Sequence, residues 1–178
     1  MNLAVLALTL SSLPLLAQQA PVHFVAKSVT HSGQFKMNAP VDRVFPFFTP
    51  AGERDWAEGW DPEFLVPANG TTGEGMVFQT PGTPPMHWVT THYDPGKHEI
   101  SYVTFTNESL IRQLSISCRT EDPVTVATVT YTLTGLSDDG NRQVEEYTAQ
   151  AHEHRLHEWD TAIDHLLRTG KRLPHHQQ

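Results

Sequence analysis

Hydrophobic and polar positions change rhythm several times along this chain, and each change marks an element. Residues 28–37, SVTHSGQFKM, have modest β character and predict a first strand. In NAPVDRVFPFFT, Val41, Val44, Phe45 and Phe48 recur at helical spacing, with Asn38 as the candidate cap. Pro46 restricts that helix to a short or kinked piece. AGERDWAEGW predicts a second short helix, ended by Gly59 and the Asp61-Pro62 pair. From residue 63 to 137 the texture is that of strands. FLVPA, GMVFQT, MHWVTTHYD, HEISYVTFT, LIRQLSISCRT and VTVATVTYTLTGL are rich in Val, Ile, Thr, Tyr and Phe. Between them NGTTGEG, TPGTPP, DPGK, TNES and EDP carry turn chemistry, and links this short favour antiparallel neighbours.

The last element is the longest. No Gly or Pro interrupts Asn141 to Thr169, which predicts one helix of about 29 residues and about 43 Å. Ala149, His152, Leu156, Trp159, Ile163, Leu166 and Leu167 fall on one stripe of that helix and should face the sheet. Gly170 can end it, leaving residues 171–178, KRLPHHQQ, as a frayed tail. The order is one strand, two short helices, six strands and a long helix. An α+β fold satisfies it: a strongly curved seven-stranded antiparallel sheet wrapped around the C-terminal helix. The two short helices then plug the gap between sheet and helix. That plug carries ERDWAEGWDPEF, residues 53–64, where Trp56 and Trp60 stand four apart among five acidic residues. On a helix both indoles share one face, so they either pack against the core or line the mouth of a cavity.

Composition narrows the function classes. A chain of 178 residues, 38% hydrophobic and 18% charged, is long enough and apolar enough for one globular domain with a substantial core. The formal charge is −8 and the 12 Lys and Arg are scattered, so no basic stripe exists to bind nucleic acid or an anionic membrane surface. The first 17 residues, MNLAVLALTLSSLPLLA, carry no ionisable side chain. Their apolar run is short against the roughly 20 residues needed to span a bilayer. Leu15 and Ala17 suit the −3 and −1 positions of a signal-peptidase site, whereas a cut after Ala20 would leave Pro21 beside the scissile bond. The expected layout is a signal peptide at 1–17, a linker at 18–27, a domain at 28–170 and a tail at 171–178. The protein is then periplasmic or secreted, without a stable membrane anchor after cleavage. An uncleaved anchor, or a cytoplasmic protein with a misplaced start, is the alternative. Cys118 is the sole cysteine, so an intramolecular disulfide is impossible, and its step with Leu114 and Ile116 marks a buried strand residue.

The segments APVDRVFPFFTPAGERDWAEGWDPEFL, GMVFQT, WVTTHYDPGKHEISYV, VTYTLTGLSDDGN and WDTAIDHLL, in this order, resemble the SRPBCC superfamily. That group includes START-like, Bet v 1-like and polyketide cyclase-like helix-grip proteins. The resemblance covers roughly residues 28–170 and implies a seven-stranded sheet gripping the C-terminal helix around a hydrophobic cavity. Its motifs are specific to a fold and not to a chemistry. Members bind lipids, sterols or hydrophobic metabolites, and some catalyse cyclisation or hydrolysis; no shared catalytic motif carries over to residues of this chain. The partner implied is a small hydrophobic molecule, with no cofactor.

Candidate chemistry is sparse. HEHRLHEWD (152–160) is the densest of the histidine clusters, and on a helix His154, His157 and Glu158 have the spacing of a surface chelate. Leu156 stands where a zincin motif requires its second histidine. A solvated polar face accounts for His154 and His165, and no metal site is expected. His152 lies on the apolar stripe and needs a partner, either as a satisfied core histidine or as a polar group lining the cavity. The aromatic residues Phe78, Trp88, Tyr102, Phe105 and Tyr131 lie on strands, where only one parity can face inward. The candidate cavity residues are therefore Trp56, Trp60, Phe78, Trp88, Tyr102, Tyr131 and His152. Asp138 with Asp139 reads as a turn, and Glu145 with Glu146 as a helix start. No nucleophile elbow, phosphate loop or dinucleotide fingerprint occurs. Two functions follow: a non-enzymatic binder of a hydrophobic or amphipathic ligand (lipid or aromatic metabolite), or a cyclase- or hydrolase-like enzyme using His152 and a cavity carboxylate.

Overall fold

A computed structural model describes residues 23–106 and 108–174. The expected signal peptide, the first part of the linker and the end of the tail lie outside the described residues. Strand β1 (Ser28–Met37) leads into helix α1 (Val41–Val44) and two 3₁₀ turns, Phe45–Phe48 and Gly52–Asp55. Six strands follow: β2 (Glu63–Val66), β3 (Val77–Thr80), β4 (Met86–Asp94), β5 (Glu99–Thr106), β6 (Leu110–Glu121) and β7 (Val124–Gly135). Helices α2 (Asp138–Glu146) and α3 (Ala149–Thr169) complete the chain. The strands form one antiparallel sheet in the order β1-β7-β6-β5-β4-β3-β2, so the first strand closes onto the last.

Alternation fixes which face is concave. Ile100, Tyr102 and Thr104 on β5, Leu114, Ile116 and Cys118 on β6, and Ala127, Val129, Tyr131 and Leu133 on β7 are all buried. Their neighbours of opposite parity carry the solvent face, where Thr30–Thr132 and Ser32–Thr130 pair hydroxyl to hydroxyl at 2.8 Å across β1 and β7. Helix α3 crosses the concave face with His152, Leu156 and Ile163 buried. It approaches β1 closely because Gly33 has no side chain; a Cβ there would run into the Leu156 Cδ1 methyl. Burial pushes the Cys118 thiol up to about 12, as befits an inert core residue. Among the described residues no helix is long and apolar enough to cross a membrane.

Three local expectations are corrected. The continuous helix from Asn141 is two helices, because the chain breaks at Tyr147–Thr148. Thr148 is extended and caps α3, its side chain accepting from Ala151 N at 3.2 Å, while Ser137 caps α2 in the same way through Gly140 N. Asp138 and Asp139 therefore form the first turn of α2, and Glu145 and Glu146 its last residues rather than a helix start. Asn38 does not cap α1; Pro40 occupies that position with no side-chain cap. Finally, Trp56 and Trp60 are not on a helix. The 3₁₀ turn ends at Asp55, since Thr49 Oγ1 already accepts from Gly52 N at 3.1 Å and Gly59 takes a positive φ of 68°.

Candidate functional site

The plug before β2 is held from beneath by its own backbone. Thr49 Oγ1 donates to Pro46 O at 2.8 Å, and the tight turn at Gly52 lies directly on the Pro46 carbonyl. Trp56 Nε1 donates to Phe47 O and Trp60 Nε1 to Pro50 O, each at 2.8 Å. With their N–H groups satisfied, the two indoles are fixed in orientation and present their rings to the interior. Trp56 meets Trp159 of α3 edge to face at 5.4 Å, and Trp60 meets Trp88 of β4 at 5.2 Å. Trp88 donates to Thr80 Oγ1 at 3.1 Å.

These four rings line one partly open cavity of about 330 Å³, and they are the only tryptophans of the chain. Its size lies near the lower end of the roughly 300–1,000 Å³ usual for small-molecule sites. Polar groups stand at defined points of the wall. Glu53 is only 6% exposed and its carboxyl has no hydrogen-bond or ionic partner among the described residues. Burial alone pushes its pKa well above the ordinary 4.5, which favours a neutral carboxyl that can donate into the cavity. The Thr104 hydroxyl, likewise buried, also lacks a partner. Tyr131 is buried with its pKa raised by desolvation, and the Arg155 guanidinium lies 5.4 Å over its ring. Arg112 reaches the same space from β6.

Of the sequence candidates, Trp56, Trp60, Trp88 and Tyr131 line this cavity. Phe78 and Tyr102 do not. Phe78 is fully buried and stacks on Trp88 at 5.5 Å, and Tyr102 donates its hydroxyl to Phe48 O at 2.8 Å, so both buttress the lining. His152 sits elsewhere, 3% exposed between α3 and β1 beside a separate groove. Its Nδ1 lies 2.8 Å from Tyr147 Oη, and the Tyr147 carbonyl lies 3.0 Å from His31 Nε2. Burial, then the His31 and Arg155 charges, lower its pKa from 6.5, against an opposing contribution from the Val129 backbone. His154 and Glu158 pair at 3.5 Å on the exposed helix face, and no group of three or more His, Cys, Asp or Glu among the described residues is placed to hold a metal.

Glu53, Thr104, Arg112 and Arg155 escaped the sequence reading. Two of them carried a signal. Arg112 is a charge at an inward position between Leu110 and Leu114, and Arg155 lies one turn before Trp159 on the helix. Glu53 was hidden among four other acidic residues of its segment, all of them on the exposed side.

No family model matches the sequence, and no curated protein matches it. Solved structures do match in shape. Norcoclaurine synthase from Thalictrum flavum, in complex with dopamine and hydroxybenzaldehyde, is 15% identical with a TM-score of 0.58, covering 90% of this chain and 99% of that one. Ara h 8.0201 is 15% identical with a TM-score of 0.59, covering 80% and 99%. CalU16 from Micromonospora echinospora is 14% identical with a TM-score of 0.53, covering 82% and 90%. The chain shares the helix-grip fold of these proteins, a curved seven-stranded antiparallel sheet around a C-terminal helix, and at these identities the likeness is one of fold alone.

Proposed function

We propose that the protein binds a small amphipathic molecule with an aromatic or similarly flat apolar body in the tryptophan-lined cavity. The carrying observation is that all four tryptophans of the chain converge on one partly open space that also exposes an unpartnered, buried Glu53 carboxyl. Ring burial supplies affinity, at about 25 cal/mol per Å² of apolar surface removed from water. Glu53 and Thr104 supply orientation by hydrogen-bonding to the ligand, since each is buried without a partner inside the fold. Norcoclaurine synthase, which shares the fold, is described with two aromatic molecules bound, in keeping with an aromatic ligand here. The signal-like run of residues 1–17 supports a periplasmic or secreted setting for this binding; N-terminal sequencing of the native protein should then begin at Gln18.

Native mass spectrometry of protein from its own host, with organic extraction of what co-purifies, tests the proposal. A retained aromatic or lipid-like compound of a size that fits the cavity is the expected result. A ligand-free protein whose tryptophan fluorescence ignores a panel of aromatic probes would overturn it. A second reading is acid-assisted cyclisation or hydrolysis of the bound molecule. It is favoured by Glu53, whose pKa burial raises well above the ordinary 4.5 and whose carboxyl has no acceptor inside the fold. Conversion of an extracted ligand by wild type but not by Glu53→Gln would select it.

A further inference from the structure

The cavity ends at two arginines. Arg112 from β6 and Arg155 from α3 line both the tryptophan cavity and an outer groove of about 230 Å³ that also meets Gln143, Glu146 and Tyr147. They thus form the boundary between interior and solvent. Arg155 spans the rings of Tyr131 and Tyr147, 5.4 and 5.9 Å from their centroids. Arg112 is half-buried; burial lowers its pKa, and the Arg155 charge lowers it further, so the two cations stand close enough to repel. Neither forms an ion pair among the described residues, although Glu146 lines the outer groove and Glu53 the cavity. Arg54, Arg119, Arg142 and Arg168 all reach carboxylates of their own. Arg112 is half-buried and Arg155 solvent-exposed against two tyrosine rings, and neither has a carboxylate partner among the described residues to offset its charge. An anion between them would supply that partner, with the forked geometry that favours a carboxylate.

Resting on the binding function above, we propose that the ligand is a small aromatic carboxylate, its ring system among the tryptophans and its carboxylate between Arg112 and Arg155. Tyr131 lines both the cavity and the outer groove, with the Arg155 guanidinium over its ring. The two ends therefore demand different groups: an anion at the arginines and a hydrogen-bonding group facing Glu53. Glu146 at the outer groove disfavours a more highly charged head group.

The test compares 2-naphthylacetate with its neutral isostere, 2-naphthylacetamide, by calorimetry and tryptophan quenching on the purified chain at low salt. The carboxylate should bind about tenfold or more tightly than the amide, as charge-assisted hydrogen bonds to two arginines require. Arg112→Gln combined with Arg155→Gln should erase that preference while changing amide affinity less than about threefold. Equal affinity of the two probes for the unaltered protein overturns the anion site and leaves the cavity binder standing. Binding of neither, with fluorescence unchanged, overturns both. The comparison on unaltered protein decides the matter even if the double variant does not fold.

Discussion

Two parts of the interior bury polar groups in opposite ways. Between β1 and the start of α3, Tyr147 joins two histidines, its carbonyl 3.0 Å from His31 Nε2 and its hydroxyl 2.8 Å from His152 Nδ1, while the buried His152 Nε2 beside Gly33 has no hydrogen-bond partner. Around the tryptophan-lined cavity, Glu53 and Thr104 are buried without such partners inside the fold, and Arg112 and Arg155 have no carboxylate partner among the described residues. The hydrogen bonds of Tyr147 tie the junction of α2 and α3 to β1 and contribute to stability. Polar groups that point into a cavity and stay unpaired lower stability, and the proposed ligand would satisfy them. The difference sets the proposed binding site apart from the cluster at the α2–α3 junction.

Breaking the bridge between the two regions should have the largest effect. Trp159 touches Trp56 and Phe48 on the cavity side and Tyr131, itself against Tyr147 and His152, on the other. Trp159→Ala should cost about 3–5 kcal/mol in urea unfolding; a loss below about 1 kcal/mol would remove Trp159 from the core stripe. Trp60→Ala attacks the functional side alone. It should weaken a naphthyl probe by about tenfold or more, as loss of a buried aromatic anchor does, with a smaller fall in melting temperature than Trp159→Ala; the reverse pattern would return Trp60 to pure packing. Tyr147→Phe attacks the structural side. Removing the hydroxyl from buried His152 should cost about 1–2 kcal/mol of stability and leave probe affinity unchanged.

The pH dependences sharpen the contrast with opposite signs. Glu53 ionises near 4.5 when unfolded and at higher pH when folded. Above the unfolded value the native state keeps a proton that the unfolded chain releases, so this group's contribution to stability falls as pH rises through the folded pKa. Glu53→Gln should flatten the fall in stability that sets in above pH 4.5. His152 behaves conversely: its lowered pKa means the unfolded chain takes up a proton first as pH drops below 6.5. Its contribution is complete above that value and lost as pH falls through the folded pKa, and His152→Gln should remove the acid-side slope. Urea titrations across pH measure both.

The strand pattern and turn chemistry made the sheet legible, because Val-, Ile- and Thr-rich runs separated by Gly, Pro and Asp leave little choice of element or neighbour. The break at Tyr147–Thr148 was not legible: nothing in NRQVEEYTAQ, residues 141–150, forbids a continuous helix, and the cap depends on a threonine that a helix also tolerates. The tryptophans were found by spacing although the helix invoked for them is absent, since the plug delivers both rings to the same space through hydrogen bonds to Phe47 and Pro50. The polar half of the cavity required three dimensions. Glu53, Thr104, Arg112 and Arg155 come from four separate elements, and only the closed sheet shows that they share a wall with the indoles.

The most direct test uses the fact that every tryptophan of the chain lines the cavity. In a ¹⁵N–¹H spectrum, the four indole Nε1–H signals of the protein would be followed during titration with 2-naphthylacetate. The cavity account predicts that all four shift together and saturate at one equivalent of bound probe. Binding by calorimetry with the four indole signals unmoved would place the ligand elsewhere and contradict it.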